Sequence, residues 1–194
     1  MSRLAPALIG ALWAGFALYW IIAALNVKAT LRRESLAQRL MHVVPLFICA
    51  ALFLPLKLLL TFLPQALSFR FLPHSGLVEA AGLAFLVAGL AFAVWARWHL
   101  GRNWSGAIAL KSDHTLIRSG PYGLVRHPIY TGLLLALLGS AIALGEWRGL
   151  LGLAFASGAI LLRVGAEDAL MAQTFGDAYR DYRRRTKALI PFLL

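Results

Sequence analysis

Residues 129–162 read IYTGLLLALLGSAIALGEWRGLLGLAFASGAILL, two apolar runs separated by the polar segment Gly-Glu-Trp-Arg-Gly at 145–149. A helix that crosses a hydrocarbon core of about 30 Å needs about 20 mainly apolar residues, and each run here is shorter than that. We interpret the stretch as a tight helical hairpin in a membrane.

Three further segments, 5–25, 42–63 and 77–95, are apolar over the length of a bilayer span. Only Lys57 and two prolines interrupt the second segment, and a lysine there can snorkel or face the protein interior. The third has one charge, Glu79, near its start. The whole chain is 60% apolar and 14% charged, against about 25% charged in soluble domains. We therefore expect an all-α fold, a polytopic transmembrane helical bundle of about five spans.

The segment 5–25 could instead be a secretion signal. Its apolar run is longer than the roughly 7–15 residues of a signal core, and no convincing small-residue cleavage site follows it. We interpret it as a membrane helix.

Basic residues are concentrated in alternate loops. With five spans, 15 of the 19 Lys and Arg residues fall on one side of the membrane, in the loop before the second span, in 97–128 and after Leu162. The positive-inside rule then places the N-terminus outside and the C-terminus in the cytoplasm. Anionic lipid headgroups account for the net charge of +11 without nucleic acid as a partner.

The first polar cluster lies at the predicted start of the fourth span. Pro128 suits the first position of a helix, and helix starts attract anions through exposed N–H groups and partial positive charge. Arg126 and His127 stand at that point, and Tyr130 shares a helix face with His127. The cluster indicates a carboxylate or phosphate site. Equally, these could be interfacial residues that contact lipid headgroups.

The second polar cluster ends the last span. Arg163 and Glu167 are four residues apart and share a helix face at the membrane boundary, with Asp168 next in sequence. A structural salt bridge would explain the pair, but charges so close to a membrane are costly and often functional. Tyr179 and Tyr182 follow, and could belong to an interfacial amphipathic helix.

Together these elements resemble the isoprenylcysteine carboxyl methyltransferase family. The resemblance rests on GPYGLVRHPIYTG at 120–132, preceded by His-Thr-Leu-Ile at 114–117 and followed by Arg163-x3-Glu167 and Phe175-Gly-x2-Tyr179-x2-Tyr182. It covers roughly residues 111–191. The first two spans carry no motif that matches.

The resemblance implies an integral membrane methyltransferase that uses S-adenosyl-L-methionine. The most fitting reaction is carboxyl O-methylation of a prenylated cysteine, a lipophilic substrate at the membrane boundary, with no metal. Arg163 and Glu167 match the family's pair near the substrate and are the expected catalytic residues. The expected cofactor-binding residues are Lys111, His114, Thr115, Leu116, Ile117, Tyr122, Arg126, His127, Pro128, Ile129, Tyr130 and Tyr179.

We expect one domain, 1–194. Its first part, 1–98, would hold three spans, and 99–194 would hold a cofactor-binding loop, the hairpin and a C-terminal lid. We predict the lid from four apolar or aromatic residues whose spacing places them close to one helical face: Phe175, Tyr179, Tyr182 and Ile190. Such a face must pack against another surface, and the nearest polar cavity would be the cofactor site. The alternative is a tail that lies in the lipid interface.

The residue types suit this chemistry. A carboxylate nucleophile is ionised at neutral pH and needs no base, only a cation such as Arg163 to hold it. Glu167 would keep the guanidinium from binding that carboxylate too tightly.

The residues alone are compatible with two other functions. A lipid amine N-methyltransferase, acting for example on phosphatidylethanolamine, would need Glu167 as a general base. A small transporter or lipid-binding scaffold would need no cofactor, although the chain lacks the paired halves common in transporters.

Overall fold

Long apolar helices make up most of the structure, a computed structural model that describes residues 4–25, 30–32, 36–53, 65–104, 110–111 and 115–193. The helices are α1 (Leu4–Ala24), α2 (Leu36–Phe53), α3 (Gly76–Leu100), α4 (Pro121–Leu124), α5 (Pro128–Leu144), α6 (Trp147–Phe175) and α7 (Asp177–Arg185). Short 3-10 helices lie at Gln65–Ser68 and Gly101–Asn103. Strands β1 (Thr30–Arg32) and β2 (Leu110–Lys111) form an antiparallel pair between two loops.

Three of these helices, α1, α3 and α6, are long and apolar enough to cross a membrane. The shorter apolar helices Val43–Phe53 and α5 accompany them. The prediction of an all-α, polytopic helical bundle is confirmed, and the chain is an integral membrane protein.

Three helix boundaries differ from the sequence prediction. The helix predicted from residue 42 begins at Leu36, the helix predicted to end at residue 95 ends at Leu100, and α6 continues past Leu162 to Phe175. In all three places the helix extends into polar sequence, because backbone hydrogen bonding does not stop where the apolar run stops. The predicted end of the second span, with Pro55 and Lys57, lies outside the described residues.

Helices α3 and α5 pack with their backbones in contact. A Cβ atom added at Gly89 would lie 2.5 Å from the Gly132 carbonyl oxygen, and one added at Gly139 would lie 2.5 Å from that of Gly82. Small residues that let backbones approach are typical of membrane helix pairs. The contact holds the end of α3 beside the start of α5, where the first polar cluster lies.

The predicted hairpin is confirmed at the turn between α5 and α6. Gly145 ends α5 in the left-handed conformation, with φ of 64°. Arg70 donates from Nη1 to the Leu144 carbonyl oxygen over 2.5 Å, so a cation caps the negative end of the helix. The Phe71 N–H donates to the Gly145 carbonyl oxygen. The turn is therefore fixed by the segment that precedes α3.

The chain after α6 folds back over the start of α5. The Arg126 N–H donates to the Lys187 carbonyl oxygen over 2.8 Å, and the His127 N–H donates to that of Ala188 over 3.0 Å. Leu189 is 3% exposed, whereas Ile190 is 48% exposed. The prediction that Ile190 shares the buried face is wrong, because the helix ends at Arg185 and the chain direction then changes.

Candidate active site

A cavity of about 610 Å³ lies between α1, α2, α5, α6 and the C-terminal segment. This volume is within the range of about 300–1,000 Å³ typical of small-molecule and cofactor sites. One end is rich in polar and charged side chains, and the other is apolar. We call them the polar end and the apolar end.

The polar end collects side chains from five parts of the chain. They come from the segment after α3, α4, the start of α5, the second half of α6, and α7. The lining side chains with polar groups are Asn103, Trp104, Thr115, Tyr122, Arg126, His127, Tyr130, Arg163, Glu167, Tyr179 and Tyr182.

Arg163, Glu167 and Tyr130 form a hydrogen-bonded triangle. Arg163 Nε lies 3.0 Å from Glu167 Oε1 and 2.6 Å from the Tyr130 hydroxyl oxygen. The Tyr130 hydroxyl donates to the same Glu167 oxygen over 2.6 Å. The guanidinium group also lies over the Tyr130 ring at 5.9 Å. Tyr130 therefore ties the predicted catalytic pair on α6 to the start of α5.

Asp168 is the centre of a second network. Its carboxylate accepts from Arg126 Nη2 over 2.8 Å, lies 2.8 Å from His127 Nε2 and accepts from the Tyr179 hydroxyl. Arg183, mostly exposed, lies 3.9 Å away. With 6% of its surface exposed, Asp168 is a buried charge that three hydrogen bonds satisfy. It joins α6, the start of α5 and α7.

His127 faces a carboxylate on each side of its ring. Nε2 is hydrogen-bonded to Asp168, and Nδ1 lies 3.5 Å from Glu167 Oε2. Burial lowers the pKa of His127, but the hydrogen bonds and the charges of the two carboxylates outweigh it, so the pKa is raised. Because two acceptors flank the ring, the doubly protonated cation is the favoured form.

The described charges at the polar end do not cancel. Arg126, His127 and Arg163 are cations, while Glu167 and Asp168 are anions. Counting these five groups and leaving out the mostly exposed Arg183, one positive charge remains in a partly desolvated site. Such a site favours a ligand that brings one carboxylate.

Two buried tyrosines stay neutral at the polar end. The Tyr182 hydroxyl donates to the Tyr122 carbonyl oxygen over 2.5 Å, which fixes α7 against α4. Burial raises the pKa of Tyr182 to about 12, and it raises the pKa of Tyr122 further. Tyr179 also has a raised pKa, from burial first and then from its bond to Asp168. These hydroxyls act as hydrogen-bond donors at neutral pH.

The apolar end extends between α1, α2, α5 and α6. Its walls are Trp13, Phe16, Ala17, Trp20, Ile21, Leu46, Leu133, Ala159 and Ile160. Trp20 meets Trp104 edge to face, with ring centroids 5.5 Å apart. Arg97 stacks on the indole ring of Trp104, with its guanidinium carbon 4.5 Å from the ring centroid. It also donates to the Ala23 carbonyl oxygen and so ties the end of α1 to α3.

Most of the residues predicted to bind cofactor or substrate line this one cavity. They are Thr115, Leu116, Ile117, Tyr122, Arg126, His127, Ile129, Tyr130, Arg163, Glu167 and Tyr179. Pro128 is buried beside it as the first residue of α5. Lys111 lies in β2, where its side chain is not described, and His114 lies outside the described residues.

Sequence reasoning missed several residues in the cavity wall and directly behind it. Asp168 was noted only as the neighbour of Glu167, yet it holds the first polar cluster in place. Asn103 lines the cavity and donates to Thr115 over 3.1 Å. The walls from α1 and α2 were not assigned any role, because aromatic residues in an apolar span carry no local signal of what they face.

Among the described residues, no group of three or more His, Cys, Asp or Glu side chains is arranged to hold a metal ion.

The sequence of this chain is similar to those of several known proteins. A sequence profile described as the isoprenylcysteine carboxyl methyltransferase (ICMT) family matches residues 82–173. Protein-S-isoprenylcysteine O-methyltransferase of Schizosaccharomyces pombe is 30% identical over 118 residues, which are 59% of this chain and 50% of that protein. The cobalt-zinc-cadmium resistance protein CzcN of Cupriavidus metallidurans is 36% identical over 97 residues, 48% of this chain and 44% of that protein. The chain thus spans about half the length of these relatives.

The fold has a solved counterpart. The structure of the eukaryotic intramembrane Ras methyltransferase ICMT superposes with a TM-score of 0.53 at 22% identity, covering 82% of this chain and 54% of that one. At this identity the match shows a shared helical membrane fold. The profile match confirms the resemblance to the isoprenylcysteine carboxyl methyltransferase family over residues 82–173.

Proposed function

We propose that the chain is an S-adenosyl-L-methionine-dependent methyltransferase that methylates the carboxylate of a prenylated cysteine. One observation carries the proposal. The polar end has an excess of one positive charge, and it is continuous with an apolar end that membrane helices line. A carboxylate on a long lipid chain matches both ends. The names of the relatives support the same reaction.

The residues at the polar end fit the cofactor. Trp104 and Tyr122 offer aromatic surfaces for a purine, and the start of α5 offers backbone N–H groups for a carboxylate. Arg126 and His127 would stand near that carboxylate, with Asp168 holding both in place. The cofactor, when bound, supplies a methyl group on a sulfonium centre. The chain itself supplies position and exclusion of water.

Arg163 would hold the substrate carboxylate. A guanidinium group binds carboxylates through its planar set of donors and stays charged. Its Nε is shared between Glu167 and Tyr130, so part of its donor capacity is already used. We infer that this sharing keeps the substrate carboxylate oriented without quenching its nucleophilicity.

Methylation of a lipid amine is less compatible with this geometry. It would need Glu167 to accept a proton as a general base. Glu167 instead accepts from Tyr130 and Arg163 and lies 3.5 Å from the His127 ring. All three contacts stabilise the ionised carboxylate and make it a weak proton acceptor.

The topology and the role of the C-terminal segment complete the proposal. The distribution of Lys and Arg favours a cytoplasmic polar end, with the N-terminus on the opposite side. Residues 177–189 would act as the lid of a single methyltransferase domain. In support, Tyr179 and Tyr182 line the cavity, and the backbone of 187–188 pairs with that of 126–127.

The experiment that tests the proposal uses membranes with the expressed chain, labelled cofactor and N-acetyl-S-farnesylcysteine. Carboxyl methylation predicts a product that releases labelled methanol in alkali. An alkali-stable product would identify N-methylation and overturn the proposal, as would wild-type protein that does not bind S-adenosylhomocysteine.

A further inference from the structure

We propose that Trp13, held by Ser140, closes the apolar end of the cavity and limits the length of the lipid chain that the site accepts. The inference rests on the proposed function, since it assigns the lipid chain of the substrate to the apolar end. It adds a residue that determines specificity and lies far from the reacting groups.

Trp13 is the deepest residue that α1 contributes to the cavity. The site-proximal end of α1 is marked by the Ala23 carbonyl oxygen, which accepts from Arg97 at the end of α3. Trp20 lies near that end, and Trp13 lies seven residues earlier in the helix. At 1.5 Å per residue, Trp13 is roughly 10 Å farther into the membrane.

A packed layer lies directly beyond Trp13. Leu133 on α5 and Ala159 on α6 line the cavity. About one helical turn farther from the polar end, Leu137 and Ala156 are buried in a cluster against which Trp13 packs. The indole ring therefore lies between the cavity and closed protein interior.

A hydrogen bond across two helices fixes this ring. Trp13 Nε1 donates to Ser140 Oγ over 3.0 Å, and Ser140 in turn donates to the Ala136 carbonyl oxygen over 2.9 Å. Ser140 has no exposed surface. An indole N–H without a partner at this depth would be costly, since no water is present to satisfy it. Rotation of the ring out of the way of a longer chain would break this bond.

The consequence is a limit on chain length. A lipid chain that ends above Trp13 is buried along its whole length, whereas a longer one must bend or leave between the helices. One methylene more or less in such a pocket changes specificity by about 10–200-fold. Removing the indole should extend the apolar end toward the layer of Leu137 and Ala156.

The test compares two substrates in full-length protein reconstituted in lipid. kcat/KM is measured for N-acetyl-S-farnesylcysteine and N-acetyl-S-geranylgeranylcysteine. In Trp13→Ala, the ratio should shift toward the geranylgeranyl compound by about tenfold or more relative to wild type. Ser140→Ala keeps the ring but removes its acceptor, so a smaller shift in the same direction is expected. Trp98→Ala is the matched control, because Trp98 is 76% exposed and is not among the residues that line the cavity.

A general loss of structure would lower both values together and would not move their ratio. An unchanged ratio in a Trp13→Ala protein that still binds S-adenosylhomocysteine would overturn the inference. Equilibrium binding of the two methyl esters needs no turnover and separates this result from a failure of the proposed function. If wild type methylates neither compound, a shift in their binding ratio upholds the inference, and equal ratios overturn it.

Discussion

The carboxylate of Asp168 lies 2.8 Å from Nε2 of His127, and this contact joins the last turns of α6 to the start of α5. The same carboxylate holds Arg126 and Tyr179. The basic residues that would attract the cofactor are therefore positioned by an acidic residue that binds neither cofactor nor substrate in our proposal.

Asp168→Asn should weaken both the fold and cofactor binding. Loss of one partner from a buried ion pair costs about 3–5 kcal/mol, because the other charge stays buried and unpaired. Thermal unfolding and calorimetric titration with S-adenosylhomocysteine measure the two effects. Asp177→Asn is the control, since its carboxylate is exposed and pairs only with Arg180 among the contacts described. Wild-type values for Asp168→Asn would remove it from the positioning role.

The stability of the protein should fall as the pH rises through the titration of His127. Its folded-state pKa is raised above the ordinary value of about 6.5, so protonation favours the folded state. The contribution is fully present below about pH 6.5 and is lost as the pH rises through the raised value. His127→Gln should lack this step. Unfolding temperatures measured across that range for both proteins check the prediction, and parallel curves would contradict it.

Glu167→Gln should lower kcat by about tenfold or more without raising KM. The amide cannot balance the charge of Arg163, so the guanidinium would bind the substrate carboxylate more tightly in the ground state. Methyl-transfer kinetics with a farnesylcysteine substrate measure both constants. Asp181→Asn, a change at a partly exposed residue of α7 that does not line the cavity, provides the comparison. Unchanged kcat and KM in a folded variant that binds cofactor would exclude Glu167 from the mechanism.

Deletion of residues 175–194 should abolish binding of S-adenosylhomocysteine. The deleted part contains Tyr179 and Tyr182, which line the cavity, and the backbone that pairs with Arg126 and His127. Deletion of 190–194 is the matched control, because Leu189 is the last buried residue in the described part of the chain. Intact binding in the longer deletion, with the protein still monodisperse, would show that the segment only contacts lipid.

Gly89→Ala should destabilise the helix pair by about 1–3 kcal/mol. The new Cβ would lie 2.4 Å from the Ala136 nitrogen, so α3 and α5 would have to separate. Gly10→Ala is the control, because a Cβ there meets nothing within 4 Å. Equal unfolding temperatures for the two variants would contradict the tight contact.

The sequence was most informative where function depends on contiguous residues. Pro128 marked the start of a helix, and the spacing of Arg163 and Glu167 predicted a pair that the structure places 3.0 Å apart. The hairpin break at 145–149 was visible for the same reason. Such features depend on backbone rules and helix period, which a single sequence carries.

Contacts between distant segments were not predictable in this way. Trp13 and Ser140 are 127 residues apart, and each alone is an ordinary residue of an apolar helix. In the sequence, Asp168 had no role apart from being next to Glu167. On a helix, however, consecutive side chains point about 100° apart, so Asp168 contacts a different set of partners. Only the packing of α5 against α6 and α7 shows that it lies at the centre of the site.

The hydrogen bonds from 126–127 to 187–188 also bear on the order in which the protein is made. All other side chains that line the polar end, up to Tyr182, precede residues 187–188 in the chain. Helices α1 to α6 are therefore synthesised, and can enter the bilayer, while the polar end still lacks α7 and residues 187–188. Competence to bind cofactor should therefore appear only after residues 187–188 have been made and pair with residues 126–127.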